Sequence, residues 1–390
     1  MKSQECGEVD KAGSSSSSGQ ASLRQNRALA TGILMCITGL LPSGYAFAAV
    51  VNEGPSNALV EGRRTTTTQC YTDGTAKIVQ QISMQYSNLN TFYTIGTEGY
   101  IGISVGAPGD IDGDGVVDMA VGVSRDDDSG TNAGAMYILF LQTDGMIKDA
   151  QKLSNLYGNI NAFYSLVTGG QFGYSVTGLG DIDGDSVVDL AVGAYADDDG
   201  SQDAGAAYLL YLETDGKVKK VVKFSMLYSD FSTFFTLEAS DRLGTDVSAL
   251  GNLDGDSLSD LAVGADLDDD GGLEVGAVYV LFLQTDGRIT NAQKISALYG
   301  NFGAFYTLYS GDLFGHAIGS MGDIDGDGVV KLAVGARGID EMYNSCGGFF
   351  VLSLETDGSV KSAQKVSMLY SSFSTFYTFD AEDYFGTSIN

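Results

Sequence analysis

Short apolar segments alternate with clusters of glycine and acidic residues along most of this 390-residue chain. Between residues 171 and 227, four segments rich in Val, Ile, Leu and Tyr are separated in this way, and none has helical periodicity. The pattern predicts four β-strands, at 173–179, 188–194, 205–212 and 217–224. Thr214-Asp215-Gly216 joins the last two strands, and Asp-Gly between apolar segments favours a tight hairpin because both positions tolerate a positive φ angle.

This four-segment pattern recurs every 71 residues. The triplet Thr-Asp-Gly marks the recurrence, and it begins at Thr72, Thr143, Thr214, Thr285 and Thr356. A four-stranded antiparallel unit cannot bury both of its faces alone, but units arranged around an axis can stack face to face. We therefore expect an all-β fold, a β-propeller with four complete four-stranded antiparallel blades and partial blade material at both ends. A β-solenoid, the alternative repeat fold, normally has a much shorter period.

The beginning of the chain differs in composition from the rest. A Ser-rich start, Arg24 and Arg27, an apolar run at 29–41 and the small residues of Ala46-Phe47-Ala48 follow the order of a secretory signal peptide. A retained signal anchor is the alternative reading of the apolar run. The expected domains are a signal peptide at 1–48, a linker at 49–70 and a propeller at 71–390. The signal predicts a secreted or cell-surface protein.

The far end of the chain stops within a repeat. The next acidic loop would begin about four residues past Asn390. Two readings follow: the chain is truncated at its C-terminus, or its two ends share an incomplete fifth blade.

The net charge of the chain limits the classes of partner that it can bind. Fifty Asp and Glu residues against 21 Lys and Arg give a formal net charge of −29. Phosphate binding needs clustered Lys and Arg, so nucleic acid is excluded as a partner, and divalent cations are the natural complement. We expect membrane contact only through a signal anchor or a missing C-terminal region.

Acidic side chains spaced two residues apart recur between the predicted first and second strands. In the first loop, Asp110, Asp112 and Asp114 alternate in this way. The Val116 carbonyl and Asp118 complete an oxygen-only ligand set, which suits calcium. The corresponding residues of the second and third loops are Asp181, Asp183, Asp185, Val187, Asp189, Asn252, Asp254, Asp256, Leu258 and Asp260. Carboxylates crowded this closely repel one another, so a bound cation is expected. Plain Asp-Gly turns are the alternative, but a turn alone does not require four acids.

The fourth loop departs from this pattern. Asp323, Asp325 and Asp327 keep their places, but Lys331 stands where the other loops have a fourth acidic residue. An ammonium group there can take the place of the ion. We therefore predict three good calcium sites and a fourth with weak or absent calcium binding.

Two other features keep the 71-residue period. Acidic triplets occur at 126–128, 197–199 and 268–270, and solvated turns are favoured over further metal sites for them. Aromatic connections such as Tyr157-Gly158 followed by Phe163-Tyr164 are expected to pack between neighbouring blades, with stacking on sugar rings as the alternative.

Candidate catalytic residues are few. The sole histidine, His316, follows Phe314-Gly315 at a place where other copies have Tyr174 and Thr245, which is typical of an ordinary strand position. No Ser-His-Asp or Cys-His set can be assembled, so we predict that the chain is not an enzyme.

The remaining chemistry-bearing residues are two cysteines of the mature chain. In repeat register, Cys70 and Cys346 replace apolar residues, which favours core positions, and a disulfide between them is the alternative.

The residues now described resemble the FG-GAP repeat family, the propeller repeats of integrin alpha subunits and many secreted proteins. The Phe-Gly element is matched by Phe172-Gly173, Phe314-Gly315 and Phe385-Gly386. The acidic loop matches in all four copies apart from Lys331, whereas the closing Gly-Ala-Pro element is reduced to forms such as Val192-Gly193-Ala194. The resemblance covers about residues 71–390. It implies a seven-bladed propeller with calcium in loops on one face and a ligand surface on the other.

Two functions are consistent with these features. The leading hypothesis is a calcium-binding adhesion or recognition propeller, with calcium in a structural role and an extracellular protein or glycan as its ligand. The alternative is an accessory propeller of a larger extracellular hydrolase or polysaccharide-acting enzyme. The sequence downstream of residue 390 would discriminate between them.

Overall fold

The structure is a computed structural model that describes residues 46–52, 64–70, 76–82, 88–93, 99–128, 130–340, 345–367, 369 and 383–389. Nearly all regular structure in these ranges is β-strand. Short helical turns lie at Asn88–Thr91, Ile160–Ala162, Phe231–Phe234 and Phe302–Ala304. Within the described ranges, no helix has the length and apolar character needed to cross a bilayer. The apolar run at 29–41, and with it most of the predicted signal, lies outside them.

Four antiparallel four-stranded sheets form the body of the protein, and in each sheet the strands pair in chain order. The first blade contains β4 (Val105–Gly109), β5 (Asp118–Val123), β6 (Ala135–Leu141) and β7 (Ile147–Leu153). The second contains β8 (Ser175–Gly180), β9 (Asp189–Ala194), β10 (Ala206–Leu212) and β11 (Val218–Phe224). The third contains β12 (Leu243–Gly251), β13 (Asp260–Ala265), β14 (Ala277–Leu283) and β15 (Ile289–Ile295). The fourth contains β16 (Phe314–Gly322), β17 (Lys331–Ala336), β18 (Gly348–Leu354) and β19 (Val360–Val366). The predicted fold class is confirmed.

A further sheet of three strands precedes the four blades. It contains β1 (Ala46–Asn52), β2 (Arg64–Cys70) and β3 (Ala76–Ile82), paired in that order. These strands lie in repeat register with the second, third and fourth strands of a blade. Of the three, only β3 belongs to the partial blade material predicted near the start of the propeller, which was fourth-strand material at about 75–83. The segment predicted as a linker thus contains β2 and the end of β1. The proposed boundaries at residues 48 and 70 stay predictions.

The core lies between successive blades. All residues of the second and third strands of the first three blades, such as β9 and β10, are buried, because these strands have a neighbouring blade on each face. Ile138 of the first blade and Leu210 of the second belong to one buried apolar cluster. First strands of consecutive blades lie beside each other, β4 next to β8, β8 next to β12 and β12 next to β16. The four blades therefore pack through their flat faces, as a propeller does.

A pair of glycines brings neighbouring blades into backbone contact. A Cβ atom on Gly193 in β9 would lie 2.1 Å from the carbonyl oxygen of Gly244 in β12. Gly244 itself has φ +89°, a region that side chains disfavour. The other blade junctions repeat this approach between Gly122 and Gly173, Gly264 and Gly315, and Gly335 and Gly386. The glycines of the 71-residue pattern are therefore required by close packing as well as by turns.

The aromatic connections are partly buried between blades and partly exposed to solvent. Tyr164, which follows the first blade, packs edge-to-face on Tyr208 and Tyr228 of the second, with ring centroids 6.4 and 5.0 Å apart. This agrees with the predicted packing between blades. Tyr157 and Phe163, however, are 45% and 40% exposed, so the outer part of the connection faces solvent.

Candidate metal centres

The first acidic loop connects β4 to β5 and is anchored by Asp118. This side chain is 1% exposed, and its two oxygens accept hydrogen bonds from the backbone N–H groups of Ile111 (2.9 Å) and Leu141 (3.1 Å). Burial raises the pKa of Asp118 to about 6, and the two backbone hydrogen bonds only partly offset this effect. Asp118 therefore fixes the base of the loop to the neighbouring strand β6.

The curl of the first loop is organised by Asp110. Its Oδ1 accepts hydrogen bonds from the N–H groups of Gly113 (2.8 Å) and Asp114 (3.1 Å), and its Oδ2 accepts one from Gly115 (2.7 Å). Gly113 has φ +79°, so the turn needs a residue without a side-chain penalty. These bonds close the loop into a ring of acidic side chains.

The carboxylates of the first loop attract a cation. Ligand atoms of Asp110, Asp112 and Asp118 lie within 4.8 Å of one another. The Lys148 ammonium on β7 lies 2.7 Å from Asp112 Oδ2 and also contacts Asp114. Burial lowers the pKa of Lys148, but the hydrogen bonds to these two aspartates outweigh it and raise the pKa above its usual value. The loop therefore holds a positive charge even without a metal ion.

The second loop repeats the first one closely. Asp181 accepts the N–H groups of Gly184 (2.7 Å), Asp185 (3.0 Å) and Ser186 (2.7 Å). Asp189 is fully buried and accepts those of Ile182 (3.0 Å) and Leu212 (3.1 Å), while burial raises its pKa to about 7. Ligand atoms of Asp181, Asp183 and Asp189 lie within 4.8 Å of one another, and Lys219 is 2.9 Å from Asp183.

The third loop is anchored by a buried aspartate like the first two, but no fourth-strand lysine stands opposite its carboxylates. Asp260 accepts the N–H of Leu253 (2.8 Å), and burial raises its pKa to about 6. Asn252 takes the organising place and accepts the N–H of Gly255 (2.7 Å). Thr290 stands where the first two loops have their lysine, so this loop lacks the cation that the other two draw from their fourth strand.

The fourth loop contains its own cation. The Lys331 ammonium donates hydrogen bonds to Asp325 Oδ1 (3.1 Å), Asp327 Oδ1 (2.8 Å) and the Val329 carbonyl (3.1 Å). In repeat register these are the places of Asp112, Asp114 and Val116 in the first loop. Asp325 and Asp327, two of the three ligands predicted for this loop, thus converge with the Val329 carbonyl on a single positive atom.

The acidic triplets prove to be parts of buried ion-pair networks. Asp197 is 1% exposed and accepts hydrogen bonds from Lys223 (2.9 Å) and from the Tyr208 hydroxyl (2.8 Å), and Lys223 lies 2.6 Å from Asp199. The same network joins Lys152 to Asp126 and Asp128, and Lys294 to Asp268 and Asp270. Each first aspartate is therefore not in a solvated turn, which corrects the sequence prediction. The signal for this network was a lysine that recurs in every fourth strand.

Two further predictions concern single residues. Cys346 is a free, fully buried cysteine, which agrees with a core position. His316 is not an ordinary strand residue, because its Nδ1 lies 2.8 Å from the buried carboxylate of Asp266. Sequence reasoning missed this pair because the two residues are 50 positions apart.

Comparison with known proteins identifies the repeat. The sequence model of the FG-GAP repeat family matches residues 172–210, which include the second acidic loop and β9. Residues 172–210 are therefore an FG-GAP repeat. The resemblance seen in the sequence is thereby confirmed.

The chain is also similar to integrin alpha subunits. It is 31% identical to integrin alpha-V of Gallus gallus over 257 residues, which cover 62% of this chain and 20% of the integrin. It is 29% identical to integrin alpha-5 of Xenopus laevis over 248 residues, again 62% of this chain and 20% of the integrin. The chain thus spans about a fifth of the length of these relatives. Among solved structures, a rhamnogalacturonan lyase of Bacillus licheniformis aligns over 79% of this chain and 51% of the lyase chain, with 14% identity and a TM-score of 0.35.

Proposed function

We propose that this protein is a calcium-stabilised recognition module that works outside the cell or at its surface. The observation that supports the metal assignment is the position of the Lys331 ammonium. It donates hydrogen bonds to Asp325, Asp327 and the Val329 carbonyl. The acidic loops of the other three blades contain no lysine of their own at this place. A loop of this shape with an acidic residue in place of Lys331 has no ammonium group of its own, and its carboxylates draw a cation from outside the loop, either a fourth-strand lysine such as Lys148 or a bound metal ion.

Calcium fits the donor set better than other metals do. The proposed ligands are oxygen atoms of carboxylates, one Asn amide and backbone carbonyls, in loops with positive-φ turns, and flexible oxygen ligands suit calcium. The ion would be held by the predicted residues of the first three loops. When bound, it supplies positive charge that the crowded carboxylates otherwise take from Lys148 and Lys219. Its role is structural, since each loop joins the first two strands of a blade.

The metal assignment is tested by calorimetric titration of calcium into the full chain after removal of divalent ions. We expect three sites, and for extracellular modules dissociation constants of roughly 0.1 to 1 mM. Asp183→Asn should remove or weaken one site, whereas Asp215→Asn, in the exposed hairpin turn, should leave all three. Absence of calcium uptake, or equal behaviour of the two variants, would contradict the assignment.

The recognition role is supported by the integrin alpha relatives and by the predicted signal peptide. Its test is binding of the full chain to arrays of extracellular-matrix proteins and glycans, with and without calcium. Saturable binding that disappears with a chelator is the expected result. An accessory role in a larger enzyme stays the alternative hypothesis, and a catalytic domain encoded downstream of residue 390 would favour it.

A further inference from the structure

The fourth strand of every blade has an irregularity at the same place. In the first blade, Leu141 pairs with Ile147, and the next pair of the ladder joins Phe140 to Asp149. Lys148 is left between them as the extra residue of a β-bulge, and a bulge changes the direction of the side chain that it carries. The extra residues of the following three blades are Lys219, Thr290 and Lys361. The bulge is therefore a constant of the repeat, whereas the residue in it varies.

In the first two blades the bulge residue is a lysine that lies on the acidic loop of its own blade. The Lys148 ammonium is 2.7 Å from Asp112 Oδ2 and also contacts Asp114. Lys219 makes the same two contacts with the second loop, and its distance to Asp183 Oδ2 is 2.9 Å. Both lysine side chains are half-buried. The oxygens that they contact belong to the aspartates proposed as calcium ligands.

The bulge of the third blade carries no cation. The Thr290 hydroxyl donates a hydrogen bond to the Phe282 carbonyl (3.2 Å) within its own hairpin. Asp254 and Asp256 accept backbone hydrogen bonds of 3.1 and 2.8 Å, and no Lys or Arg of the described residues pairs with them. The carboxylates of the third loop are therefore open to an ion from solution.

The bulge residue and the number of loop carboxylates change together in the first three blades. Where the bulge holds Lys148 or Lys219, the loop has four aspartates, so the formal charge of loop and lysine together is −3. Where the bulge holds Thr290, Asn252 replaces one aspartate, and the formal charge of the loop is again −3. A lysine thus accompanies the additional carboxylate, as a counter-ion does. Because the formal charges are equal, they do not by themselves rank the three loops by calcium affinity.

The fourth blade shows what happens to the bulge lysine when a loop already holds a cation. Its loop contains the Lys331 ammonium, which binds Asp325 and Asp327 from inside the loop. The bulge residue of this blade, Lys361, is exposed and forms no ion pair with a residue that the structure describes. Two ammonium groups on the same few carboxylates would repel each other. One cation in the loop therefore excludes the second.

We propose that Lys148 and Lys219 compete with calcium for the carboxylates of their loops. Each ammonium neutralises part of its loop when calcium is absent and moves away from it when calcium binds. A divalent ion on the same oxygens would repel the ammonium more strongly than a second lysine does. The inference rests on the proposed calcium role and names the residues that regulate it.

Competition of this kind gives the three loops two ranges of calcium response. The third loop has no competing lysine, so it should bind calcium at the lowest concentration and depend most on it. The first two loops should fill at higher concentrations, because calcium must replace an ammonium there. They should also tolerate calcium removal better, because Lys148 and Lys219 then return to their carboxylates. The lysines thus make the first two blades responsive to the calcium concentration.

The first test is calorimetric titration of calcium into variants of the full chain. The double variant Lys148→Met, Lys219→Met should bind calcium about three- to tenfold tighter at two of its three sites. Thr290→Lys should weaken the remaining site by a similar factor. Lys361→Met is the matched control, because it removes a lysine from the same bulge position without removing a contact with an acidic loop. Its affinities should equal those of the wild type.

A second test separates competition from a structural role of the lysines. Lys148→Met should lower the urea midpoint of unfolding in a chelator, because the first loop then has no cation. In saturating calcium the same variant should unfold at the wild-type midpoint. A lysine that only supports packing would lower both midpoints equally, and that result would contradict the proposal.

The third test needs no substitution. Lysines of the wild-type chain are acetylated with an amine-reactive ester, in calcium and in a chelator, and each one is quantified by peptide mass spectrometry. Lys148 and Lys219 should react faster in calcium, because they are then released from their loops. Lys361 should react equally in both conditions, since it is exposed and has no loop to leave.

The outcomes distinguish this inference from the proposed calcium role. Three sites of unchanged affinity in the double variant, with labelling of Lys148 that does not depend on calcium, would overturn the inference and leave the calcium role standing. Absence of calcium uptake by the wild type and by every variant would overturn both. Uptake at the first two loops only in the double variant would confirm that the ammonium groups occupy these sites, and it would overturn the predicted count of three.

Discussion

The ammonium nitrogen of Lys331 lies 2.8 Å from Oδ1 of Asp327, inside the acidic loop of the fourth blade. In the other three blades an aspartate occupies the place of Lys331, and its two oxygens accept backbone hydrogen bonds from the loop and from the third strand. In the fourth blade the Leu354 N–H instead donates to the Val330 carbonyl at 3.0 Å. One substitution therefore changes both the charge of the loop and its anchoring.

Lys331→Asp should convert the fourth loop into a calcium site. The substitution removes the internal cation from Asp325 and Asp327 and restores the anchoring carboxylate. Calorimetric titration should show four sites instead of three, and the variant should be less stable than wild type in a chelator. Lys331→Met is the control, since it removes the ammonium without adding a carboxylate. A stoichiometry that stays at three in Lys331→Asp would show that the ammonium does not replace an ion.

Gly193→Ala should strongly destabilise the junction of the second and third blades. The added methyl group would meet the Gly244 carbonyl oxygen at 2.1 Å, and backbone cannot move aside as a side chain can. Overpacking of this kind typically costs about 1 to 3 kcal/mol, and contact with backbone places this site at the upper end or beyond. Urea unfolding in saturating calcium measures the change. Gly106→Ala, whose nearest contact would be at 3.2 Å, should cost less; a larger loss there would contradict the packing argument.

Lys223→Met should lower the free energy of unfolding, because it removes the cation of a buried ion-pair network. It leaves the Asp197 carboxylate buried with only the Tyr208 hydroxyl and a backbone N–H as donors, and breaking such a pair costs about 3 to 5 kcal/mol. Lys217→Met removes an exposed pair with Asp215 and should cost no more than about 1 kcal/mol. The two free energies of unfolding are compared in the same urea experiment.

The fourth blade supplies a rescue for this variant. Ile339 and Phe350 stand there in the places of Asp197 and Tyr208, while Lys365 keeps the place of Lys223, so the chain itself shows that apolar residues can replace the buried carboxylate and phenol. Adding Asp197→Ile and Tyr208→Phe to Lys223→Met should recover most of the lost stability. A triple variant no more stable than Lys223→Met would show that the cost lies in lost packing of the lysine stem instead of in an unpaired charge.

Asp241→Asn should become stabilising as pH rises. Burial raises the pKa of Asp241 to about 7, against a usual value of 3.8. The folded state therefore keeps its proton where the unfolded state has lost it, so ionisation reduces wild-type stability as pH rises from about 4 to above 7. The full shift would correspond to about 4 kcal/mol, but Asp241 lines a water-accessible cavity of about 320 Å³, and screening should reduce this to about 1 to 2 kcal/mol.

The measurement is urea unfolding of wild type and Asp241→Asn at pH 4.5, 6 and 8, with calcium saturating at each pH. The stability of the variant relative to wild type should grow across this series. A difference that is constant with pH would contradict an elevated pKa for this carboxylate.

Much of the fold could be predicted because the chain repeats its physical pattern. The second strand predicted at 188–194 is found at Asp189–Ala194, and the third predicted at 205–212 at Ala206–Leu212. The first strand, predicted at 173–179, is found at Ser175–Gly180, and Gly173 before it, with φ +86°, lies against the preceding blade. Alternation of apolar and turn residues identifies strands well, but it does not show which glycines serve packing.

The candidate site was predicted less completely. Spacing of the loop carboxylates indicated that they converge, and the structure brings Asp110, Asp112 and Asp118 together. The spacing of residues did not predict that His316 pairs with Asp266 or that Lys223 pairs with Asp197. Such pairs join residues that are far apart in sequence, and the recurring lysine of the fourth strands marks a special position without showing which aspartate it meets.

The glycine contact between Gly193 and Gly244 has a consequence for how such a chain can change over generations. Neighbouring blades contact each other there through backbone atoms, and the same contact recurs at each junction. A duplicated blade therefore already contains the glycines that it needs to pack against its neighbours. Side chains away from the junction are then free to diverge without rebuilding it. The scaffold can therefore lengthen by whole units while each new unit acquires its own surface.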